Sequence, residues 1–231
     1  MKPLVRATGI DIGATLNQVA SDQAGGLVRA VLPSRFSLCR IAGIFADAFS
    51  DYPLLRWALT NRSSRARLGF QLFSLLISEF GSRSDAIYRA GHDYGAAIWM
   101  RSDRLSQPNE EECGQINQKL QEMLGTRSTK RLLAINRAME KYHPSTSHLY
   151  LYLIGVRRHR QRYGLGSQLM LTGLKTADIS RLPVFLETSS EDLIRFYRKF
   201  NFEVVDKYVV ARGSPPTWTM IRIPRKEASV K

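Results

Sequence analysis

Between Phe36 and Phe49 the residues Phe36, Cys39, Ile41, Ile44, Phe45, Ala48 and Phe49 fall near one face of a helix. Ahead of them "LVRAVL" (27–32) reads as a short buried strand. Asp51-Tyr52-Pro53 opens a short helix over "LLRWAL". A third helix is expected over 64–80, with Leu68, Leu72, Leu75, Leu76 and Phe80 turned inward, and Gly81 stops it. "DAIYRA" and "GAAIWM" on either side of "GHDY" have the pattern of a hairpin. "QPNEEECGQINQKLQEML" and "TKRLLAINRAMEKY" predict two more helices. The first is acidic in its opening turn, as the helix dipole prefers, and Pro144 ends the second.

The pattern then changes. "HLYLYLIGV" (148–156) alternates at first and becomes wholly apolar, as a strand in the middle of a sheet does. A helix follows over roughly 165–178, then a strand at "PVFLE" (183–187). "TSSEDLIRFYRKF" predicts a helix, with Thr188 and Glu191 spaced as a capping box. "FEVVDKYVV" and "WTMIRI" are two further strands. This order implies an α/β domain with a mixed sheet around a central parallel pair. Residues 1–26, closed by Gly25-Gly26, read as a flexible extension, 27–224 as one domain and 225–231 as a tail.

Composition narrows the function classes. With 44% hydrophobic and 23% charged residues among 231, the chain can bury a sizeable core. Its formal charge of +14 asks for an anionic partner: nucleic acid, an anionic membrane or a phosphorylated small molecule. The longest apolar run, "FQLFSLLISEF", is too short and too polar to span a membrane, so no membrane partner is expected. Cys39 and Cys113 make neither a disulfide framework nor a metal signature, and the cytoplasm is the simplest compartment. HExxH, GxSxG and CxxC patterns do not occur.

One stretch concentrates the charge. "VRRHRQRYGLGS" packs four arginines and a histidine directly before two glycines, between a strand and a helix. Glycines let the main chain approach a phosphate, and a helix start supplies unpaired N–H groups. A dinucleotide fingerprint would need a glycine at Leu169, and a Walker loop would need Gly-Lys-Ser/Thr, so neither fits. As a nucleic-acid patch the run would need exposed aromatics interleaved with the charge, and the nearby aromatics read as strand core. No nucleic-acid partner is therefore expected.

Gln161-Arg162-Tyr163-Gly164-Leu165-Gly166 does resemble the acyl-coenzyme A loop of the GNAT N-acetyltransferase superfamily. "HLYLYLIGV", "QRYGLGSQLM", "LPVFLETSS", "FYRKFNF" and "WTMIRIP" are similar to the successive blocks of its puromycin N-acetyltransferase-like subgroup, over about residues 27–224. The resemblance implies a GNAT-type mixed, mostly antiparallel sheet with a splayed central parallel pair and helices on both faces. It implies acetyl transfer from acetyl-CoA, as co-substrate, directly to a primary amine of a small molecule. Gln161, Arg162, Tyr163, Gly164, Leu165, Gly166 and Ser167 would then hold the cofactor's phosphates. Ile154 and Gly155 would line the slot for its pantetheine arm, and the Val156 N–H would face the oxyanion. Tyr197 would protonate the departing thiolate, or else its ring only packs the helix on the sheet. Glu187 is the candidate base, with an ordinary ion-paired carboxylate as the alternative role. His148 reads as structural rather than catalytic. Tyr52, Trp57 and Trp99 are candidate walls of the acceptor pocket.

Three positions depart from the family pattern. Arg157-Arg158 replace Asp-Pro, Asn201 replaces a glycine, and Leu193 replaces an asparagine near the pantetheine arm. A non-catalytic GNAT-like domain that binds coenzyme A or a partner is the alternative reading.

Overall fold

A computed structural model describes residues 28–31, 34–80, 84–105 and 109–224. The extension 1–26 and the tail 225–231 lie outside them. The elements follow the expected order: β1 (Val28–Ala30), α1 (Arg35–Ala48), α2 (Pro53–Ala58), α3 (Arg65–Phe80), β2 (Ala86–Ala90), β3 (Gly95–Arg101), α4 (Glu110–Tyr142), β4 (Leu149–Val156), α5 (Leu165–Ile179), β5 (Val184–Thr188), α6 (Glu191–Arg198), β6 (Glu203–Val209) and β7 (Pro216–Arg222). Within α4, Gly125 has φ 75° and ψ 163°, so the run is two helices meeting at a break, as the two sequence blocks predict. Asn109 caps the first and Glu112 reaches back to the Asn109 N–H, a reciprocal box.

The strands form one sheet in the order β1-β2-β3-β4-β5-β7-β6. All its neighbours are antiparallel except β4 and β5. That parallel pair is joined only at Leu149↔Val184 and Tyr150↔Phe185. Beyond Tyr150 the two strands diverge, which opens a split in the middle of the sheet.

Both faces carry a core, which is why β3 and the centre of β4 are apolar at nearly every position. Trp99, Leu151, Leu169, Met170, Leu174, Leu186 and Tyr197 form one, under α5 and α6. Ile41, Phe45, Leu72, Phe73, Ile98 and Met100 form the other, under α1 and α3.

Three expectations change. First, of the strand expected over 27–32, Leu27 and Leu32 lie outside the described residues, and Val28–Ala30 are strand, with Arg29 and Ala30 exposed rather than buried. Second, Thr188 does not cap α6. It is still in the β5 ladder opposite Trp218, so the helix starts from Ser190, which makes no side-chain cap. The Thr188 hydroxyl instead accepts from the Ser190 N–H at 3.3 Å. Third, Trp99 is no pocket wall. It is fully buried, and its indole occupies the place where a side chain on Gly173 of α5 would stand.

Candidate functional site

The split is aimed by one irregularity. Trp99 pairs with Leu151 and Ile98 with Leu153, so Tyr152 is an extra residue, a bulge in β4. Before it, the Leu149 N–H points at β5 and donates to the Pro183 carbonyl at 2.8 Å. Successive N–H groups on a strand alternate sides, and a bulge shifts the alternation by one residue. After it, the Arg157 N–H points the other way, to the Tyr94 carbonyl of the β3 hairpin at 2.7 Å. The Val156 N–H therefore faces the split, where no strand pairs with it. Gly155 sits where α1 presses on β4. A Cβ there would meet Ala48 at 2.9 Å and Phe45 at 3.0 Å.

The glycine loop continues from the same strand end. Arg158–Arg160 make one turn of 3₁₀ helix. Gln161 then ties the loop back, its side-chain amide donating to the Val156 carbonyl at 3.1 Å. Gly164 precedes α5 with φ 79°, a left-handed conformation that suits glycine, and no atom lies within 4 Å of where its Cβ would be. The N–H groups of Leu165, Gly166 and Ser167 open α5 and have no carbonyl partner within the helix. Such a start, beside an open space and a basic surface, fits a phosphate group.

The basic run divides. The Arg157 side chain donates to the Asp93 carbonyl at 3.0 Å. Arg158 pairs with Asp51 at 3.0 Å, and its N–H donates to the Asp47 carboxylate at 2.7 Å. These two residues pin the loop to the segment after α1 and to the β2–β3 turn. Arg160 lies over the Tyr94 ring at 4.4 Å. Arg162 is exposed, with φ 69°.

Below the split lies a cavity of about 530 Å³. Ile154, Glu187, Leu193, Tyr197 and Tyr52 line the end nearest the sheet. Glu187 enters it because Phe185 and Glu187 share a face of β5, and Phe185 is in register with Tyr150. The Tyr150 hydroxyl donates to Glu187 Oε2 at 2.8 Å, while Oε1 is shut off from solvent without a partner. Burial pushes the Glu187 carboxyl up to about 7, although the Tyr150 hydrogen bond acts the other way. Tyr197 is buried, and burial together with the neighbouring Tyr52 raises its phenol. Tyr52 accepts from the Ser189 N–H at 2.6 Å and so fixes the turn that leads into α6.

Other candidates fall elsewhere. Trp57 does not line the cavity; Arg131 of α4 covers its ring at 4.8 Å. His148 is buried, its Nδ1 is 2.7 Å from the Thr146 carbonyl, and its Nε2 is 3.0 Å from His143 Nε2. A carbonyl only accepts, so the proton is on Nδ1. Burial lowers the pKa of both rings, and the pair serves as neutral packing under Phe185. Asn201 has φ 64°, a left-handed conformation that suits glycine and that asparagine tolerates. Tyr150 was not among the sequence candidates, though its place in the alternating "LYLY" put it on one face with the base.

Comparisons with known proteins agree with this fold. Residues 94–202 match the Acetyltransferase (GNAT) family. A solved structure described as histone acetyltransferase HPA2 and related acetyltransferase, from Corynebacterium glutamicum, is 19% identical, with a TM-score of 0.63 over 86% of this chain and 97% of that one. A polyamine N-acetyltransferase of Drosophila melanogaster is 13% identical, with a TM-score of 0.52 over 85% and 99%. Arylalkylamine N-acetyltransferase 2 of Aedes aegypti is 12% identical, with a TM-score of 0.51 over 86% and 99%. The matched segment spans the β3 strand, the split, the glycine loop and α6, and the chain shares the fold of these solved acetyltransferases.

Proposed function

We propose that the chain is an acetyl-CoA-dependent N-acetyltransferase whose acceptor is the primary amine of a small molecule. A finer kinship with the puromycin N-acetyltransferase-like subgroup rests on the sequence blocks. The observation that carries the reading is a split between β4 and β5 that begins at the glycine loop, with Glu187 and Tyr197 lining the cavity below it.

In this reading the α5 amides and the arginines around Gly164 hold the phosphates of coenzyme A, and Ile154, Gly155 and Leu193 flank its arm. Bound acetyl-CoA supplies the acetyl group as a thioester. Glu187 takes a proton from the amine nitrogen, which forms its bond to the acetyl carbon. The Val156 N–H donates to the acetyl oxygen as negative charge develops there. Tyr197 gives its proton to the sulfur as the carbon–sulfur bond breaks. Both groups then re-equilibrate with solvent.

Acetyl-CoA at about a hundredfold over its dissociation constant should stabilise the fold by about 2.7 kcal/mol, a rise of roughly 5–10 °C in Tm. Gly164→Val should remove that rise, because a β-branched residue resists φ 79° and would project into the open space beside the α5 amides. A folded Gly164→Val variant with an undiminished shift would sink the loop assignment.

Glu187 sets the pH response. Its carboxyl titrates near 7, so kcat/KM should fall below neutral pH as the base is protonated, and Glu187→Gln should remove that limb. Stability should move oppositely. A carboxyl raised from about 4.5 favours folding below pH 4.5 and loses that contribution as pH rises through 7. At pH 8 Glu187→Gln should therefore be more stable than the wild type by about 2–3 kcal/mol, measured by denaturant unfolding. Equal stabilities at pH 8 would mean that Glu187 is well solvated.

A further inference from the structure

The cavity says more about the acceptor than the fold does. It runs from the split out between α3 and α4, where Leu72, Leu76, Ile116, Leu120, Leu133 and Met139 form its walls. Its size lies within the range of about 300–1,000 Å³ typical of small-molecule sites. Polar demand is concentrated at one end. Glu187 Oε1 is buried without a hydrogen-bond partner. A buried polar atom left unpaired is costly, and an amine nitrogen in the cavity offers the carboxylate a donor.

The walls beyond make no such demand. Only at the outer rim, which is open to solvent, do carboxylates appear: Glu79, paired with Lys119 at 3.0 Å, and Glu140, which accepts from the Asn136 amide at 2.6 Å. Arg137 adds a positive charge to the same rim. A second cation held between the apolar walls of α3 and α4 would lose its water and meet no carboxylate among Leu72, Leu76, Ile116, Leu120, Leu133 and Met139.

We infer that the acceptor is a primary monoamine with an apolar body, an alkyl- or phenylalkylamine. Its nitrogen sits at Glu187 and its body lies between α3 and α4. Polyamines and aminosugars do not fit that division. The inference rests on the reading of Glu187 and Tyr197 as the reactive end.

The test is thiol release from saturating acetyl-CoA with ethylamine, butylamine, hexylamine, 4-phenylbutylamine, 1,6-diaminohexane and kanamycin. Each methylene buried in an apolar wall should raise kcat/KM about fourfold. Hexylamine should exceed 1,6-diaminohexane by at least about tenfold, since the diamine has the same length and one more charge. Leu133→Trp, which fills the outer cavity, should lower kcat/KM for hexylamine more than for ethylamine. A flat alkyl series with the diamine or kanamycin preferred would overturn the apolar acceptor and leave the acetyltransferase reading intact. If no amine releases thiol although acetyl-CoA raises Tm, the acetyltransferase reading fails, and binding decides the inference alone. A rise in Tm with hexylamine that exceeds ethylamine's and disappears in Leu133→Trp would support an apolar-amine site. The absence of any such rise would overturn it.

Discussion

Tyr197→Phe should leave the protein folded and slow acetyl transfer by about a hundred- to ten-thousand-fold, the range of general acid catalysis. The ring is buried against Phe196 and Phe202, and phenylalanine keeps those contacts. What disappears is a proton. Burial and Tyr52 hold the phenol above its ordinary pKa, so at neutral pH it stays protonated and can serve a developing thiolate. The missing hydroxyl is worth about 1 kcal/mol in an ordinary hydrogen bond, which moves Tm by roughly 2–4 °C in a chain this size. Binding of acetyl-CoA should persist, so the defect should appear in kcat. A fully active variant would assign the proton to water. A large loss of Tm with proportionate loss of rate would make Tyr197 a packing residue.

The second large effect is on stability, and two principles oppose each other. Gly173 lies within α5, where glycine is about 1 kcal/mol worse than alanine, so helix propensity alone favours Gly173→Ala. Packing says the reverse. A Cβ at 173 falls inside the Trp99 indole, which is fully enclosed and held by β3 on the other side. The far end of a flexible side chain could move aside, but a buried ring in a close-packed core cannot. Overpacking of this kind costs about 1–3 kcal/mol and occasionally more. The clash should win, with Gly173→Ala destabilising by about 1–2 kcal/mol net in denaturant unfolding. The cost should shrink in a Trp99→Phe background, which frees space, and the coupling in that cycle should be on the order of 1–3 kcal/mol. A stabilised Gly173→Ala would show that α5 can lift off the sheet.

Local pattern carried most of the fold. The helix faces, the hairpin and the strand–loop–helix around Gly164 are written in nearest-neighbour spacing, so they could be read before any contact was known. Glu187 and Tyr197 were candidates through the family resemblance, from the end of a strand and from the last helix. Other features depend on register, which one strand's sequence does not contain. The Tyr150–Glu187 bond needs Tyr150 opposite Phe185. The bulge at Tyr152 needs β3 as its measure. Trp99 was misassigned because β3 is buried on both faces, and alternation cannot say which face an aromatic takes. Thr188 looked like a helix cap because its spacing to Glu191 is right, but the β7 ladder holds it in the sheet. The apolar cavity was invisible for a related reason. Leucines at helical spacing on α3 and α4 read as core, and only the packed structure shows that some of them face a cavity.

The brief pairing of β4 with β5 also decides how the molecule is joined to itself. Strands β1–β4 form one ladder and β5–β7 another, with two residue pairs between them. Backbone hydrogen bonding therefore gives little cooperativity across the middle of the sheet. What welds the halves is side-chain packing: Leu151, Leu169, Met170, Leu186 and Tyr197 belong to a single cluster that crosses the seam beneath α5 and α6. Such a protein has a built-in line of weakness that coincides with its site. Local opening is expected to follow that line rather than to break either ladder.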